Sequence, residues 1–113
     1  MRAELIAAAV IALPAVLIKP IEVAGESMMP TLRDGQIKLC IRKMPFRRGD
    51  IICVRFMGRL LIKRVTAVGG DMTPIGEVPK GMLYLTGDNR EVSIDSSSGL
   101  GFIPRKCYVG KVI

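Results

Sequence analysis

Ser27 and Lys63 are the two residues of this sequence best suited by type and surroundings to act as a nucleophile and its base. Ser27 lies in Gly25-Glu26-Ser27-Met28-Met29-Pro30-Thr31-Leu32, where a glycine two positions earlier and a following proline turn can present a hydroxyl together with its own backbone N–H. A serine hydroxyl needs a neighbouring base to attack, and the Ser27 N–H is a candidate donor to the oxyanion formed on an attacked carbonyl. Lys63 lies in Leu61-Ile62-Lys63-Arg64-Val65, and on a strand of period two it shares a face with Leu61, Val65 and Ala67. Apolar surroundings lower the pKa of an amine, and a neutral amine can take a proton from serine. Each residue also has a plainer reading: a turn serine bonded to nearby backbone, or a lysine that snorkels from an edge strand to water. Leu60 and Ile62 make the opposite face of the Lys63 strand apolar as well, so the face preference is incomplete.

The sequence contains no histidine, which removes Ser-His-Asp and Cys-His chemistry and any imidazole metal ligand. A base must therefore be Lys, Asp or Glu. Cys40, Cys53 and Cys107 lack CxxC spacing and are odd in number, which favours small buried hydrophobes over a zinc site or a disulfide framework. The net charge of +7 suits an anionic partner, but the basic residues are scattered along the chain and few aromatics accompany them, so we expect a solvated or lipid-facing surface and no nucleic acid. The stretch from Gly87 to Gly99 is polar and turn-prone; its hydroxyls and carboxylates can fix the rotamers of buried catalytic groups, or it is an ordinary surface loop.

The elements that would position these residues are short strands. Val, Ile and Leu with 12 Gly and 7 Pro favour strands and turns over long helices, in a chain long enough for one domain. Ile37, Leu39 and Ile41 alternate with Lys38, Cys40 and Arg42, the pattern of a half-buried strand. Further strands are expected over Ile51 to Phe56, Leu60 to Val68, Met82 to Leu85 and Cys107 to Ile113, with 69–80 as a loop. Ahead of them, Leu5 to Ile18 is uncharged but shorter than the roughly 20 residues of a spanning helix. It fits a cleaved signal peptide, an uncleaved signal-anchor or a first buried element; we read it as an anchor, with Lys19 snorkelling and Pro20 to Val23 extending its apolar reach. The predicted division is thus a membrane segment over 1–20 and a catalytic domain over 21–113. The excess of Lys and Arg after the segment would by itself place the domain in the cytoplasm, although long domains often translocate regardless.

Four segments in order, SMMPTL at Ser27 to Leu32, RRGDII at Arg47 to Ile52, IKRVTAVGGD at Ile62 to Asp71 and GDNREVSIDS at Gly87 to Ser96, resemble the type I signal peptidase family. The resemblance runs from about Ile21 to Ile113. It implies a mostly β, coiled, barrel-like catalytic domain in which Ser27 attacks and Lys63 is the base, with no metal or cofactor. It further implies that Ser93 orients the lysine amine, that Asp95 supports it, and that Val23, Met28, Leu32 and Ile62 line pockets for small substrate side chains. The implied partners are signal peptides of exported precursors and membrane lipid, for a monomer anchored by a single pass with its catalytic domain outside the cytoplasm. Three departures stand out. Gly25 occupies a place where some members carry an oxyanion-stabilising serine, which leaves the Ser27 N–H as the donor. Ser97 follows the Asp95-Ser96 pair where an arginine is usual, so a salt bridge to Asp95 should be lost. The segment between Asp71 and Gly87 is short, which implies a minimal enzyme.

Two rival readings remain. A specialised peptidase of the same clan would mature a conjugation or pilus subunit; a self-cleaving repressor-type peptidase would carry a DNA-binding region where this chain has an apolar N-terminus. A catalytically silent basic β-domain would bind nucleic acid or lipid instead.

Overall fold

The computed structural model describes residues 17–113, and the expected anchor over Leu5 to Ile18 lies almost entirely outside the described residues. The chain is mostly β and antiparallel. Among the described residues nine strands form: β1 (Ile18–Glu22), β2 (Ile37–Arg42), β3 (Ile51–Phe56), β4 (Arg59–Val68), β5 (Met72–Thr73), β6 (Gly76–Glu77), β7 (Met82–Thr86), β8 (Ile103–Pro104) and β9 (Tyr108–Val112). Seven of them make one sheet in the order β1-β2-β9-β3-β4-β7-β8, and β5 and β6 form a separate small hairpin. Among the described residues no helix is long and apolar enough to cross a membrane.

The β3–β4 hairpin is dictated locally. Its two-residue turn, Met57-Gly58, has both residues at positive φ (53° and 76°), the twist that lets two strands continue as a tight antiparallel pair. The register then sets Ile52 opposite Lys63 and Val54 opposite Leu61. Alternate residues of β3 serve two cores. Cys53 packs with Val23, Met28, Leu32, Cys40 and Val112. Ile52 and Val54 pack with Val65, Leu83, Leu85 and Ile103. A strand buried on both faces carries a continuous apolar run in place of alternation, which is what Ile51-Ile52-Cys53-Val54 shows.

Cys40 and Cys53 are fully buried, as small hydrophobes would be, and Cys107 is half-buried. Burial, with Cys40 as neighbour, pushes the Cys53 thiol up to about 12, so it stays protonated and inert. The glycine of β9, Gly110, lies opposite Cys53 and leaves the room in which the Cys40 side chain sits.

Four of the expected strands form within a residue or two of their predicted limits, and the last begins at Tyr108. The sheet starts earlier than the sequence suggested. Ile18–Glu22 pairs with β2 over its whole length, so Ile18 to Pro20 belong to the sheet. Its burial does not alternate, because it is held by backbone pairing along an edge, and period-two reasoning therefore missed it. The short β5, β6 and β8 were missed for the related reason that two residues show no period.

A methyl group on Gly110 would stand 2.6 Å from both Cys40 Sγ and the Ile41 carbonyl oxygen. Gly110→Ala should therefore cost about 1–3 kcal/mol through overpacking, seen as a lower midpoint in thermal unfolding; an unchanged midpoint would show that β9 can shift without penalty.

Candidate active site

Three segments distant in sequence meet at one end of the large sheet. The first, between β1 and β2, carries Ser27 in a turn that β1–β2 pairing closes; the Met29-Pro30 peptide within it is cis. The second is β4, whose pairing with β3 and β7 sets Lys63 on a face with Ile52 opposite and Val65 next along. The third is the stretch after β7, where a single 3-10 turn (Ser96–Ser98) is capped by Asp95.

Lys63 is 5% exposed. Its Nζ lies 2.9 Å from Ser27 Oγ and 3.3 Å from Ser93 Oγ. Burial holds the amine below the usual lysine range, and the Asp95 carboxylate opposes that shift only in part. Ser93 donates its proton to Asp95 Oδ2 at 2.6 Å, so toward Lys63 its oxygen can only accept. Asp95 itself is 1% exposed and heavily bonded. Oδ2 also accepts from the Gly87 N–H at 2.7 Å, while Oδ1 accepts from the Ser97 N–H at 2.9 Å and the Ser97 hydroxyl at 2.6 Å. Burial alone would raise its pKa; hydrogen bonds from Ser93, Ser97 and the Gly87 and Ser97 N–H groups outweigh it and hold the carboxyl below its ordinary value.

An open cleft of about 870 Å³ runs past Ser27 and Lys63. Val23, Met28 and Ile62 contribute to its walls, together with Leu61 and the exposed Val92 and Ile94, which flank buried Ser93. Leu32 does not line the cleft: it is buried in the core with Val23, Met28 and Cys53, because its backbone N–H bonds to the Met28 carbonyl and the turn carries its side chain inward.

A family model described as "Signal peptidase, peptidase S26" matches residues 2–75 and 72–113. The chain belongs to this family. Signal peptidase I of Bacillus licheniformis is 33% identical over 141 aligned positions, covering 85% of this chain and 75% of the relative. Signal peptidase I U of Bacillus subtilis (strain 168) is 30% identical, with 94% of this chain and 79% of the relative covered. Both alignments, at 141 and 148 positions, exceed this chain's 113 residues, so these signal peptidases carry insertions that it lacks.

Against this family background, two departures find local causes. Gly25 has φ +86° and donates its N–H to Asp34 Oδ1 at 2.8 Å, a left-handed backbone in which a serine would be strained. The expected loss of a salt bridge to Asp95 is corrected: Arg90 reaches Asp95, Nη1 to Oδ2 at 3.5 Å, and donates from Nη2 to Ser97 Oγ at 2.9 Å. Ser97 thus occupies the usual arginine's place in sequence, and a guanidinium five residues before Asp95 reaches the carboxylate.

Sequence reasoning also missed the residues that clamp the segments together. Arg64 binds Asp88 through Nε to Oδ1 at 2.8 Å and Nη2 to Oδ2 at 2.6 Å, and Thr31 donates its hydroxyl to Asp88 Oδ2 at 2.5 Å. The Arg64 guanidinium holds the Asp88 carboxyl below its usual range. Asn89 donates its N–H to the Ser27 carbonyl at 2.8 Å and its side-chain amide to the Glu26 carbonyl at 3.1 Å. Gly87 is required by space, since a Cβ there would meet Ser93 Oγ at 2.1 Å and the Ser27 carbonyl oxygen at 2.6 Å. The available signal was the opposite charge of Arg64 on one strand and Asp88 just beyond the end of another; it becomes usable once Arg64 is known to face Thr86, two residues before Asp88.

Because the folded pKa of Asp95 lies below its reference of 3.8, the unfolded chain binds more protons near that pH. Its contribution to stability should be fully present well above 3.8 and vanish as pH falls through the folded value. Asp95→Asn should thus melt below wild type at pH 7, with the gap closing toward pH 2 in denaturation scans; a pH-independent gap would refute the ionised assignment.

Proposed function

We propose that this signal peptidase relative is a serine endopeptidase that removes signal peptides from exported precursors, with Ser27 as nucleophile and Lys63 as general base. The observation that carries the reading is the 2.9 Å approach of a buried lysine amine to a cleft-lining serine hydroxyl. A neutral amine has two N–H bonds and one lone pair. Ser93 has spent its proton on Asp95 and takes one N–H, which leaves the lone pair for the Ser27 hydroxyl.

Ser27 Oγ would give its proton to Nζ while bonding to the scissile carbonyl carbon, with the Ser27 backbone N–H as donor to the oxyanion. The lysine then returns the proton to the departing amine of the mature chain, leaving an acyl-enzyme. A water loses a proton to the neutral amine, attacks the ester and frees Ser27. Val23, Met28 and Ile62 are the walls we assign to the small substrate side chains ahead of the cut, at the apolar part of the cleft nearest Ser27.

We further place residues 1–20 as a membrane segment, partly overlapping β1, and the catalytic domain on the extracytoplasmic side. The support is the apolar composition from Leu5 to Ile18 and the family's processing of exported chains. The lining of the cleft by a buried lysine and a serine speaks against a silent binding domain.

Incubating the detergent-solubilised chain with a precursor bearing an Ala-x-Ala site should yield a new N-terminus directly after the second alanine, read by sequencing. Ser27→Ala and Lys63→Ala should each lower cleavage by at least about 1,000-fold, the scale of losing a catalytic nucleophile or base. Full activity in either variant would eliminate the dyad. Cleavage should also fall with decreasing pH through a midpoint below the lysine reference of 10.5, because only the amine form accepts a proton.

Stability should move the other way. With a folded pKa below 10.5, Lys63 disfavours folding as pH drops, so Lys63→Met should melt higher than wild type at pH 7, and the gain should shrink as pH approaches 10.5.

A further inference from the structure

Asp95 is surrounded by neutral donors on every side but one. Gly87, Ser93 and Ser97 supply N–H and O–H groups, with Ser98 Oγ farther off at 3.5 Å. Among the described residues its charged partner is Arg90, whose guanidinium spans from Asp95 Oδ2 to Ser97 Oγ. Ser97 in turn donates to the other carboxylate oxygen, Oδ1, at 2.6 Å. Arg90, Ser97 and Asp95 therefore close a three-membered ring of contacts, and Ser93 links that ring to Lys63. Arg90 is 55% exposed by its side chain, so packing does not hold it there; the two polar contacts do.

We infer that Arg90 is a positioning residue for the site: held by Ser97, its cation lies against Asp95 Oδ2, the oxygen that also accepts from Ser93, and sets how strongly that buried carboxylate acts on the lysine amine. The inference rests on the dyad reading for its effect on catalysis, but not for its effect on Lys63 itself. A buried carboxylate near an amine favours the ammonium form, and a cation on the carboxylate weakens that pull. The fixed charge of Arg90 thus helps keep Lys63 in its neutral form. The Ser97 hydroxyl acts in the same sense, since each proton donated to Asp95 spreads its charge.

The other charges around Lys63 do not duplicate this role. On its own strand, Arg64 is tied to Asp88 by two bonds, and Arg59 lines the far part of the cleft. From the Ser27 segment, Glu22 and Glu26 border the same cleft, where water screens them. Asp95 is the carboxylate that opposes the effect of burial on Lys63, and Arg90 is the cation that lies against it.

The test follows the Lys63 Cε signal by NMR in the full chain with 13C-labelled lysine in detergent, with Lys63→Met used to identify the resonance. In Arg90→Gln the titration midpoint of Lys63 should rise by about half a pH unit, the size expected for one charge acting across a partly screened site. Arg90→Lys, which keeps the charge, should stay on the wild-type curve, and Ser97→Ala should shift the same way as Arg90→Gln. The acid limb of kcat/KM for precursor cleavage should follow the NMR midpoint in each variant. A midpoint unchanged in Arg90→Gln, or moved as far by Arg90→Lys, overturns the inference. Midpoints that shift while the kcat/KM profile does not would leave Arg90 acting on Lys63 and count against Lys63 as the base, so the two failures are distinguishable.

Discussion

A primary amine withdrawn from water is the constraint around which this domain is arranged. Lys63 sits between Ile52 and Val65 on the face of a central strand, where an ammonium would be poorly solvated. The protein meets the polar needs of that nitrogen with two hydroxyls, those of Ser27 and Ser93, and with one carboxylate beyond them. Removing any of these takes a hydrogen bond from a buried polar atom. Among the described residues every buried side-chain nitrogen and oxygen has a hydrogen-bond partner, which is the condition for such a network to be rigid rather than costly.

Holding the amine, its hydroxyl partners and the Ser27 turn in one place requires three chain segments to keep a common frame. Asp88 does much of this, because one carboxylate accepts the fork of Arg64 from β4 and the hydroxyl of Thr31 from the Ser27 turn. A bidentate guanidinium-carboxylate pair fixes orientation as well as distance, and it lies partly shielded from solvent, where it is less weakened by salt. Gly87 lets the loop backbone approach the serines closely, and Asn89 ties the same loop to the Ser27 carbonyl. The loop that looked like flexible surface by composition is thus the bracket of the site.

The economy of the chain is visible in the same region. This chain, shorter than its alignments to related signal peptidases, runs from β4 to β7 through only the short β5–β6 hairpin and its turns. Where the family pattern has an arginine beside the Asp-Ser pair, it has Ser97, which bonds Asp95 directly and holds Arg90 in reach. A buried carboxylate can be satisfied by several arrangements of donors, so the identity of one neighbour can change while the number of bonds is kept.

The sequence alone determined that any base must be something other than histidine, that the domain is mostly β, and that Ser27 and Lys63 are its chemically suggestive residues, while the resemblance to the signal peptidase family pointed to Ser93 and Asp95. These properties are legible because they depend on residue type, on period-two alternation over strands such as β2, and on short motifs that fold locally. It could not show that Leu32 turns into the core, that Ile18 to Pro20 join the sheet, or that Arg90 reaches Asp95. Nor did it reveal the Arg64–Asp88–Thr31 clamp. Each of those depends on register, loop path or backbone pairing, which only the folded chain decides: the approach of Ser27 to Lys63 spans 36 positions, and no local period encodes a distance between strands brought together by the rest of the sheet.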